Sequence, residues 1–444
     1  MPRVKVRLSN LSKLVENGDV LQHERFTQQE FDSLIDSMCH DAGLGTWEDV
    51  DPAKIAGVDV QRIRRQHTVI ASQGNPSAGT VELDFPMENF DLAYNGLTHL
   101  LGTVAGDVLS LCEARGAYPK IEDIDLPTEM LVGLPGPSFG IPGVRELIGA
   151  SGRRLLAFTA KPRVGLTTAE FVALCSDVST AGVDIVEDDE RLGNQPTSRI
   201  LDRVGAMTTE FKRRGLKALY SVNITGREDQ IVKMAKDAVS AGAKMLKIDV
   251  PPVSFSALQA VTETLRSQQA AVPITVYPGM LYMFRSISRK VILKLIRLCG
   301  GDIVYAGTPS LGGELGRHDV VRRLSRVLEN HAALKGTLGP AGMRSSLPTV
   351  STSLHAGNVG VLYRLLGADF AYFIGGGISG WTEGPAAGAA LVRKAIDSAV
   401  RREDMPAFSR RELELLEALR WDFISFERLL RRDPEIRRLP TVLI

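Results

Sequence analysis

Residues 182–190 read GVDIVEDDE, a short apolar run that ends in four consecutive carboxylates. Similar short apolar runs that end in polar or glycine residues recur along the rest of the chain. The eight runs are 155–159, 183–186, 218–222, 245–248, 274–277, 303–305, 348–350 and 370–374. Their spacing averages roughly 30 residues, which is the length of a βαβ unit.

Amphipathic segments of helix length lie between these runs, at 168–180, 198–214, 229–241, 290–298, 319–329 and 386–400. Apolar strands that alternate with helices predict a parallel sheet covered by helices. Eight units in about 250 residues match the length of a (β/α)8 barrel. A doubly wound open sheet is the structural alternative, but it usually has five or six strands. We therefore predict an α/β protein whose C-terminal part is a (β/α)8 TIM barrel.

The remaining residues predict two further parts. Residues 1–145 are typical of an α+β N-terminal domain, with helices at 28–41 and 97–115 and strands at 64–72 and 80–86. A loop rich in proline and glycine at 134–140 precedes the barrel domain, which we place at 146–408. Residues 409–444 are charged and predict a helical tail.

Composition excludes several classes of function. The 444 residues allow two or three domains, and 53 basic against 52 acidic residues leave a formal net charge of +1. No global field therefore attracts nucleic acid or an anionic membrane, so an anion must be bound by a local site. Four scattered cysteines without a CxxC pair argue against disulfides and a thiolate zinc site. We find no secretion signal and no run of 18 apolar residues, so we expect a cytoplasmic protein.

The acidic quartet is the sharpest candidate site, because catalytic residues of TIM barrels lie at the C-terminal ends of the strands. Adjacent carboxylates raise each other's pKa unless a cation neutralises them, and Mg²⁺ prefers such oxygen ligands. Strand alternation directs Asp188 away from the others. We therefore predict Mg²⁺ bound by Glu187, Asp189 and Glu190. The alternatives are a solvated acidic loop without a metal, or carboxylates that pair with Lys161 and Lys247.

A second candidate site binds phosphate. Three glycines follow the last strand, and hydroxyl residues follow the strand before it, where TIM barrels commonly bind phosphate. The predicted phosphate-binding residues are Gly375, Gly376, Gly377, Ser351, Thr352 and Ser353. The alternative is a glycine turn without a ligand.

Two lysines in or next to barrel strands are candidates for chemistry. Lys161 follows the first barrel strand and is a candidate acid or base. Lys247 lies inside the fourth strand, where it is either a Schiff-base nucleophile or, as we favour, a member of an ion pair.

Several motifs resemble the RuBisCO large chain, in the same order. Residues 161–167 (KPRVGLT) resemble its KPKxGLS segment, and residues 182–190 resemble its GxDFxKxDE metal motif. Residues 194–196, 300–308 and 374–380 resemble further segments of that family. The resemblance covers most of the chain from about residue 97 to 388. It implies an α+β domain, a (β/α)8 barrel and a homodimer whose active site is shared between chains. Asp107 aligns with an asparagine that the neighbouring chain contributes.

The chain departs from RuBisCO at residues that carry its chemistry. Glu187 replaces the lysine that is carbamylated, and Tyr277 and Tyr305 replace two histidines. Pro278 replaces a phosphate-binding arginine, and residues 309–314 lack the lysine that orients CO₂. The chain therefore resembles a RuBisCO-like protein, a form IV homologue without CO₂-fixing activity.

The resemblance implies chemistry through an enediolate, with Lys161, Arg163, Tyr277 and Tyr305 as catalytic residues. Arg163 assists Lys161 or binds a substrate carboxylate. One of the two family phosphate sites is lost, so we expect a singly phosphorylated sugar or 3-oxo sugar acid. Decarboxylation or C–C cleavage is favoured over a methylthio-pentulose phosphate enolase or isomerase. A silent metabolite-binding protein and a Schiff-base aldolase using Lys247 are the alternatives.

Overall fold

The computed structural model describes residues 2–17, 20–44, 51, 57–150, 152–308, 317–338, 342–352 and 354–400. The chain divides into two compact units. The first comprises Met1–Pro135, Met280–Leu298 and Leu338–Gly342, and the second comprises Gly136–Gly279, Cys299–Thr337 and Met343–Ile444. The predicted tail at 409–444 lies outside the described residues, and the domain limits at 145 and 408 stay predictions.

The first unit is built around an antiparallel sheet in the order β4-β5-β1-β6. Its strands are β1 (Arg3–Ser9), β2 (Lys13–Asn17), β3 (Val20–Glu24), β4 (Ile70–Asn75), β5 (Thr80–Pro86) and β6 (Lys120–Asp125). Its helices within residues 1–135 are α1 (Gln28–Leu44), α2 (Val60–His67), α3 (Leu92–Leu101), α4 (Val108–Ala114) and α5 (Thr128–Leu131). β1 alternates buried Val4, Val6 and Leu8 with exposed Lys5 and Arg7, as a strand that covers a core on one face should.

One predicted element of this unit is wrong in its first half. Residues 64–67 belong to helix α2 and not to a strand. The side chain of Asp59 caps this helix by accepting a hydrogen bond from the backbone N–H of Arg62, and Val60 is buried. An N-terminal carboxylate cap stabilises a helix over the extended alternative. The strand begins only at Ile70.

The eight predicted barrel strands are confirmed. They are β7 (Leu155–Thr159), β8 (Ile185–Glu187), β9 (Leu219–Asn223), β10 (Met245–Val250), β11 (Ile274–Pro278), β12 (Ile303–Tyr305), β13 (Leu347–Val350) and β14 (Ala371–Ile374). They form a closed barrel in the order β10-β11-β12-β13-β14-β7-β8-β9, and every pair is parallel. The open-sheet alternative is therefore excluded.

Helices precede, connect and follow the strands of the barrel. They are α6 (Gly140–Ile148), α7 (Thr168–Thr180), α8 (Ile200–Arg214), α9 (Glu228–Ser240), α10 (Phe255–Ser267), α11 (Arg289–Leu298, grouped with the first unit), α12 (Arg317–Lys335), α13 (Val359–Leu366), α14 (Gly376–Ser379) and α15 (Pro385–Val400). Val144 and Ile148 of α6 pack with apolar strand residues such as Leu155, Ile185 and Phe373.

All four cysteines are free thiols, and Cys112, Cys175 and Cys299 are buried. No helix in the described ranges has the length and apolarity needed to cross a membrane.

Candidate active site

Glu187, the last residue of β8, is fully buried in the barrel. Its Oε1 accepts hydrogen bonds from Lys247 Nζ at 2.8 Å, from Thr159 Oγ1 at 3.0 Å and from the Tyr305 hydroxyl. Burial raises the pKa of the Tyr305 phenol well above its ordinary value, so the phenol keeps its proton and donates it. Glu187 Oε2 is buried and accepts no hydrogen bond from any residue that the structure describes.

Lys247 of β10 places a positive charge among the carboxylates of Glu187, Asp189 and Glu190, which we call the acidic cluster. Its Nζ is 2.9 Å from the carbonyl oxygen of Asp188 and 3.8 Å from Glu190 Oε2, and its side chain is fully buried. The same Nζ lies 5.9 and 5.4 Å from the ring centres of Tyr277 and Tyr305. Burial acts to lower the pKa of Lys247, but Glu187 and Glu190 raise it above its ordinary value. Lys247 is therefore a charged ion-pair partner, which is the favoured alternative for this residue.

Asp188 points away from the cluster, as strand alternation predicts. Its Oδ2 accepts from Arg203 Nη2 at 2.9 Å and from the backbone N–H of Asn223 at 2.9 Å. Its Oδ1 accepts from the Tyr220 hydroxyl at 2.8 Å. Arg203 and Asp188 are both completely buried. Asp188 therefore links β8 to β9 and α8 through these hydrogen bonds.

Asp189 joins the acidic cluster to Lys161. The carboxylate is buried, and its Oδ2 is paired with Lys161 Nζ, whose side chain is 32% exposed. Burial acts to raise the pKa of Asp189, but the hydrogen bond from Lys161 lowers it below its ordinary value, so the carboxylate stays ionised. The stem of Lys161 packs on Gly375, where an added methyl group would lie 3.1 Å from Lys161 Cε. Lys161 therefore contacts both candidate sites at once.

Asn223 shapes the loop after β8 and was not predicted as a site residue. Its Nδ2 lies 3.4, 3.2 and 3.1 Å from the carbonyl oxygens of Asp189, Glu190 and Leu192. Its position at the end of β9 was the only signal for it in the sequence. Because three carbonyls converge on one amide, the loop that presents Asp189 and Glu190 has a defined path.

A second group that the sequence analysis missed lies at the ends of β10 and β11. Asp249 is 1% exposed, and its Oδ1 accepts from the backbone N–H of Gly279 at 2.9 Å. Its Oδ2 lies 3.6 Å from Arg191 Nη1. Burial raises the pKa of Asp249 to about 6, and Arg191 opposes this shift. Asp249 stands two residues after Lys247, so strand alternation places both side chains on one face of β10.

The predicted phosphate residues lie at the ends of β13 and β14, which are neighbours in the barrel. The backbone N–H of Ser351 donates to Thr308 Oγ1 at 2.7 Å, and Thr352 is exposed with φ at +71°. Gly375 directly precedes the short helix α14. Ser353 lies outside the described residues. Gly377 is packed so closely that an added methyl group would lie 2.0 Å from the carbonyl oxygen of Leu354.

Residues 375–377, which we call the glycine loop, give two predictions that form a matched pair. Gly377→Ala is expected to displace the loop and to weaken binding of inorganic phosphate at least 10-fold. Gly376→Ala is expected to leave the melting temperature within about 1 °C, because no atom lies within 4 Å of its added methyl group. Thermal unfolding and phosphate titration of both variants check this. Equal phosphate affinity in wild type and Gly377→Ala would show that the loop binds no phosphate.

The remaining predicted residues occupy three different places. Tyr277 packs edge-to-face on Tyr305, with ring centres 5.2 Å apart and an interplanar angle of 80°. Arg163 is exposed on the loop after β7. Asp107 is exposed and belongs to the first unit. The structure thus brings the acidic cluster, Lys161 and the two tyrosines together.

The acidic cluster fits Mg²⁺ in its chemistry. Its carboxylate oxygens are the hard ligands that Mg²⁺ prefers, and the unpartnered Oε2 of Glu187 is a buried oxygen left for a ligand. In the described part of the chain, no three acidic, histidine or cysteine side chains already surround one metal position. The structure instead shows the lysine pairing that was the alternative for these carboxylates, since Lys161 contacts Asp189 and Lys247 contacts Glu187.

Comparison with known proteins gives concordant matches. The family described as "Ribulose bisphosphate carboxylase large chain, catalytic domain" matches residues 140–421. A ribulose bisphosphate carboxylase-like protein of Archaeoglobus fulgidus is 32% identical over 334 residues, which is 72% of this chain and 71% of that protein.

Solved structures show the same fold. The dimeric archaeal Rubisco from Hyperthermus butylicus is 23% identical with a TM-score of 0.77, covering 95% of this chain and 96% of that one. A rubisco-like protein (MtnW) from Alicyclobacillus acidocaldarius is 25% identical with a TM-score of 0.73, covering 94% of this chain and 99% of that one.

Proposed function

Because the chain belongs to the RuBisCO large-chain family, we propose that it is an enzyme acting through an enediolate on a singly phosphorylated sugar or 3-oxo sugar acid. The observation that carries this proposal is the position of Lys161. Its ammonium group is paired with Asp189 of the acidic cluster, while its stem packs on Gly375 of the glycine loop. A proton-transfer group thus stands between a site for an enediolate and a site for a phosphate.

We assign proton transfer to Lys161, with Arg163 on the same loop assisting it or binding a substrate carboxylate. A lysine beside a developing enediolate can move the proton of the adjacent carbon. Tyr305 and Tyr277 act differently from the histidines they replace. Tyr305 keeps its proton and donates it to Glu187 Oε1, so it acts as a donor that holds this carboxylate and not as a base.

The cation of this proposal is Mg²⁺, held by Glu187, Asp189 and Glu190. When bound, it supplies electrostatic stabilisation of the enediolate oxygens. The protein residues prepare the site: Lys247, Thr159 and Tyr305 all bond to Glu187 Oε1 and leave Oε2 facing no donor. Calorimetric titration is expected to detect Mg²⁺ in the presence of substrate, and Glu187→Gln is expected to weaken it.

The same residues argue against ribulose-bisphosphate carboxylase activity. Glu187 cannot form the carbamate of the family lysine, and its Oε1 is already bonded to Lys247. Pro278 is buried and has no side-chain donor, and the Tyr305 hydroxyl is directed at Glu187. The second phosphate of a sugar bisphosphate therefore loses two of its family ligands. These losses support a substrate with one phosphate.

Between the reactions of the family, we favour decarboxylation or C–C cleavage of a phosphorylated 3-oxo sugar acid. Such a reaction needs stabilisation of an enediolate more than a strong base, and Tyr277 and Tyr305 are weak acids where the family has histidines. A methylthio-pentulose phosphate enolase or isomerase is the second candidate, supported by the similarity to the rubisco-like protein (MtnW).

We also propose a homodimer in which Asp107 of one chain completes the active site of its partner. This assembly is supported by the similarity to the Rubisco from Hyperthermus butylicus, which is dimeric. Cross-linking or mass measurement in solution tests the dimer. Asp107→Ala, which removes the side-chain oxygens, tests the sharing of the site when it is mixed with an inactive barrel variant, because activity in mixed dimers of two inactive variants requires a shared site.

A panel of sugar phosphates tests the proposed function. In D₂O with Mg²⁺, we expect deuterium exchange or CO₂ release with a sugar or 3-oxo acid monophosphate. A bisphosphate should bind no more tightly than the matched monophosphate. Tight binding without exchange or turnover would instead identify a silent metabolite-binding protein. Borohydride is expected to trap no adduct on Lys247, and trapping there would identify the Schiff-base aldolase.

A further inference from the structure

Arg191 and Asp249 form an ion pair at the mouth of the barrel that the proposed chemistry does not use. Asp249 follows Lys247 by two residues on β10, and Lys247 reaches Glu187 inside the barrel. Strand alternation therefore directs Asp249 to the barrel interior, one layer nearer the mouth. The guanidinium of Arg191, on the loop after β8, reaches Asp249 at 3.6 Å and so also lies at the mouth.

The position of Asp249 depends on a glycine. The backbone N–H of Gly279 bonds to Asp249 Oδ1, and an added methyl group at Gly279 would lie 2.2 Å from the same oxygen. Only glycine leaves this space. The carboxylate is therefore fixed from the β11 side, and its other oxygen is directed at Arg191.

The guanidinium of Arg191 has donors to spare. Its side chain is 53% exposed, whereas Asp249 is 1% exposed, and their separation of 3.6 Å is long for a hydrogen bond. A guanidinium carries five N–H donors in a planar fork that matches a carboxylate bidentately. The buried charge of Asp249 therefore attracts the guanidinium, while the N–H groups on its exposed edge can bind a second anion.

The strand order sets where that anion would lie. In the closed barrel, β10 is the fourth strand from β14 in either direction, so the two strands face each other across the axis. The glycine loop follows β14, and Asp249 ends β10. A substrate whose phosphate lies on the glycine loop therefore extends its other end toward Asp249 and Arg191.

We propose that Arg191, held by Asp249, binds a carboxylate at the end of the substrate opposite its phosphate. This rests on the proposed function and deepens it, because it selects phosphorylated sugar acids over sugars without a carboxylate. Arg191 is then a specificity-determining residue, and Asp249 is its positioning residue.

Two probes that differ in one group test the proposal by calorimetry. Erythronate 4-phosphate carries a carboxylate where erythritol 4-phosphate carries a hydroxymethyl group. Wild type is expected to bind the acid about 10-fold or more tightly than the alditol, which is typical of a charge-assisted bidentate pair. Arg191→Met should abolish this preference and leave the alditol affinity within about 2-fold. Arg191→Lys should keep part of the preference, because it keeps the charge but not the fork.

The controls separate the possible failures. Arg227→Met removes an exposed arginine elsewhere in the same unit, where the side chain is 81% exposed, and should leave the preference intact. Thermal unfolding should be the same for Arg191→Met as for wild type. If wild type binds neither probe, the phosphate site of the proposed function is wrong. If both probes bind equally, or if Arg163→Met rather than Arg191→Met removes the preference, the carboxylate subsite is wrong and the phosphate site stands.

Discussion

Lys247→Met is expected to destabilise the protein by about 3–5 kcal/mol, the cost of removing one partner from a buried ion pair. The ammonium contacts Glu187 at 2.8 Å, and both side chains are fully buried. Methionine fills much of the same volume but leaves a carboxylate without its cation. Chemical unfolding of wild type and variant measures the difference.

Two controls isolate the charge from the change in shape. Lys233 pairs with Asp237 on the exposed face of α9, with 70% of the lysine side chain accessible. Lys233→Met should therefore cost less than about 1 kcal/mol. The double variant Glu187→Gln with Lys247→Met removes both charges and should be more stable than Lys247→Met alone. If Lys247→Met were as mild as Lys233→Met, the buried pair would not hold the site together.

Lys161→Met is expected to lower proton exchange by about 10²–10⁴-fold, the usual contribution of a positioned acid or base. Methionine retains a stem that can pack on Gly375 and removes only the ammonium group that contacts Asp189. Incorporation of deuterium from solvent into an active sugar phosphate is the measurement.

Phosphate binding serves as the internal reference for this variant. Because the glycine loop is unchanged, the affinity of Lys161→Met for inorganic phosphate should fall far less than its exchange rate. Lys161→Arg keeps the charge beside Asp189 but holds its proton too tightly to transfer it, so it should be nearly as slow. Exchange at the wild-type rate in Lys161→Met would move the acid–base role to another residue.

The barrel was readable from the sequence because its strands are buried on both faces and so form continuous apolar runs. Run 155–159 coincides with β7, and run 303–305 coincides with β12. The first unit was harder, since α2 depends on a cap by Asp59 more than on apolar periodicity. β1, whose lysine and arginine alternate with valines, was not predicted either.

Site residues could be predicted from the sequence where they directly follow a single barrel strand. The acidic quartet and Lys161 follow their strands directly, so the rule that TIM barrel chemistry lies at strand ends identified them. Ion pairs between distant parts of the barrel could not be predicted from the sequence. The sequence left open whether Glu187 pairs with Lys247, and it held no sign that Arg191 reaches Asp249. Each pair joins β8, or the loop after it, to β10, and these strands are not neighbours.

The ammonium of Lys247 has a consequence for how the site of this protein is completed during folding. A site built on a carbamylated lysine is finished only after CO₂ has reacted, and its charge then awaits a metal. Here the counter-charge of Glu187 is encoded in β10 and arrives as the barrel closes. The chain thus supplies the counter-charge of Glu187 itself, and we expect this ion pair to form on folding without CO₂ or a divalent cation.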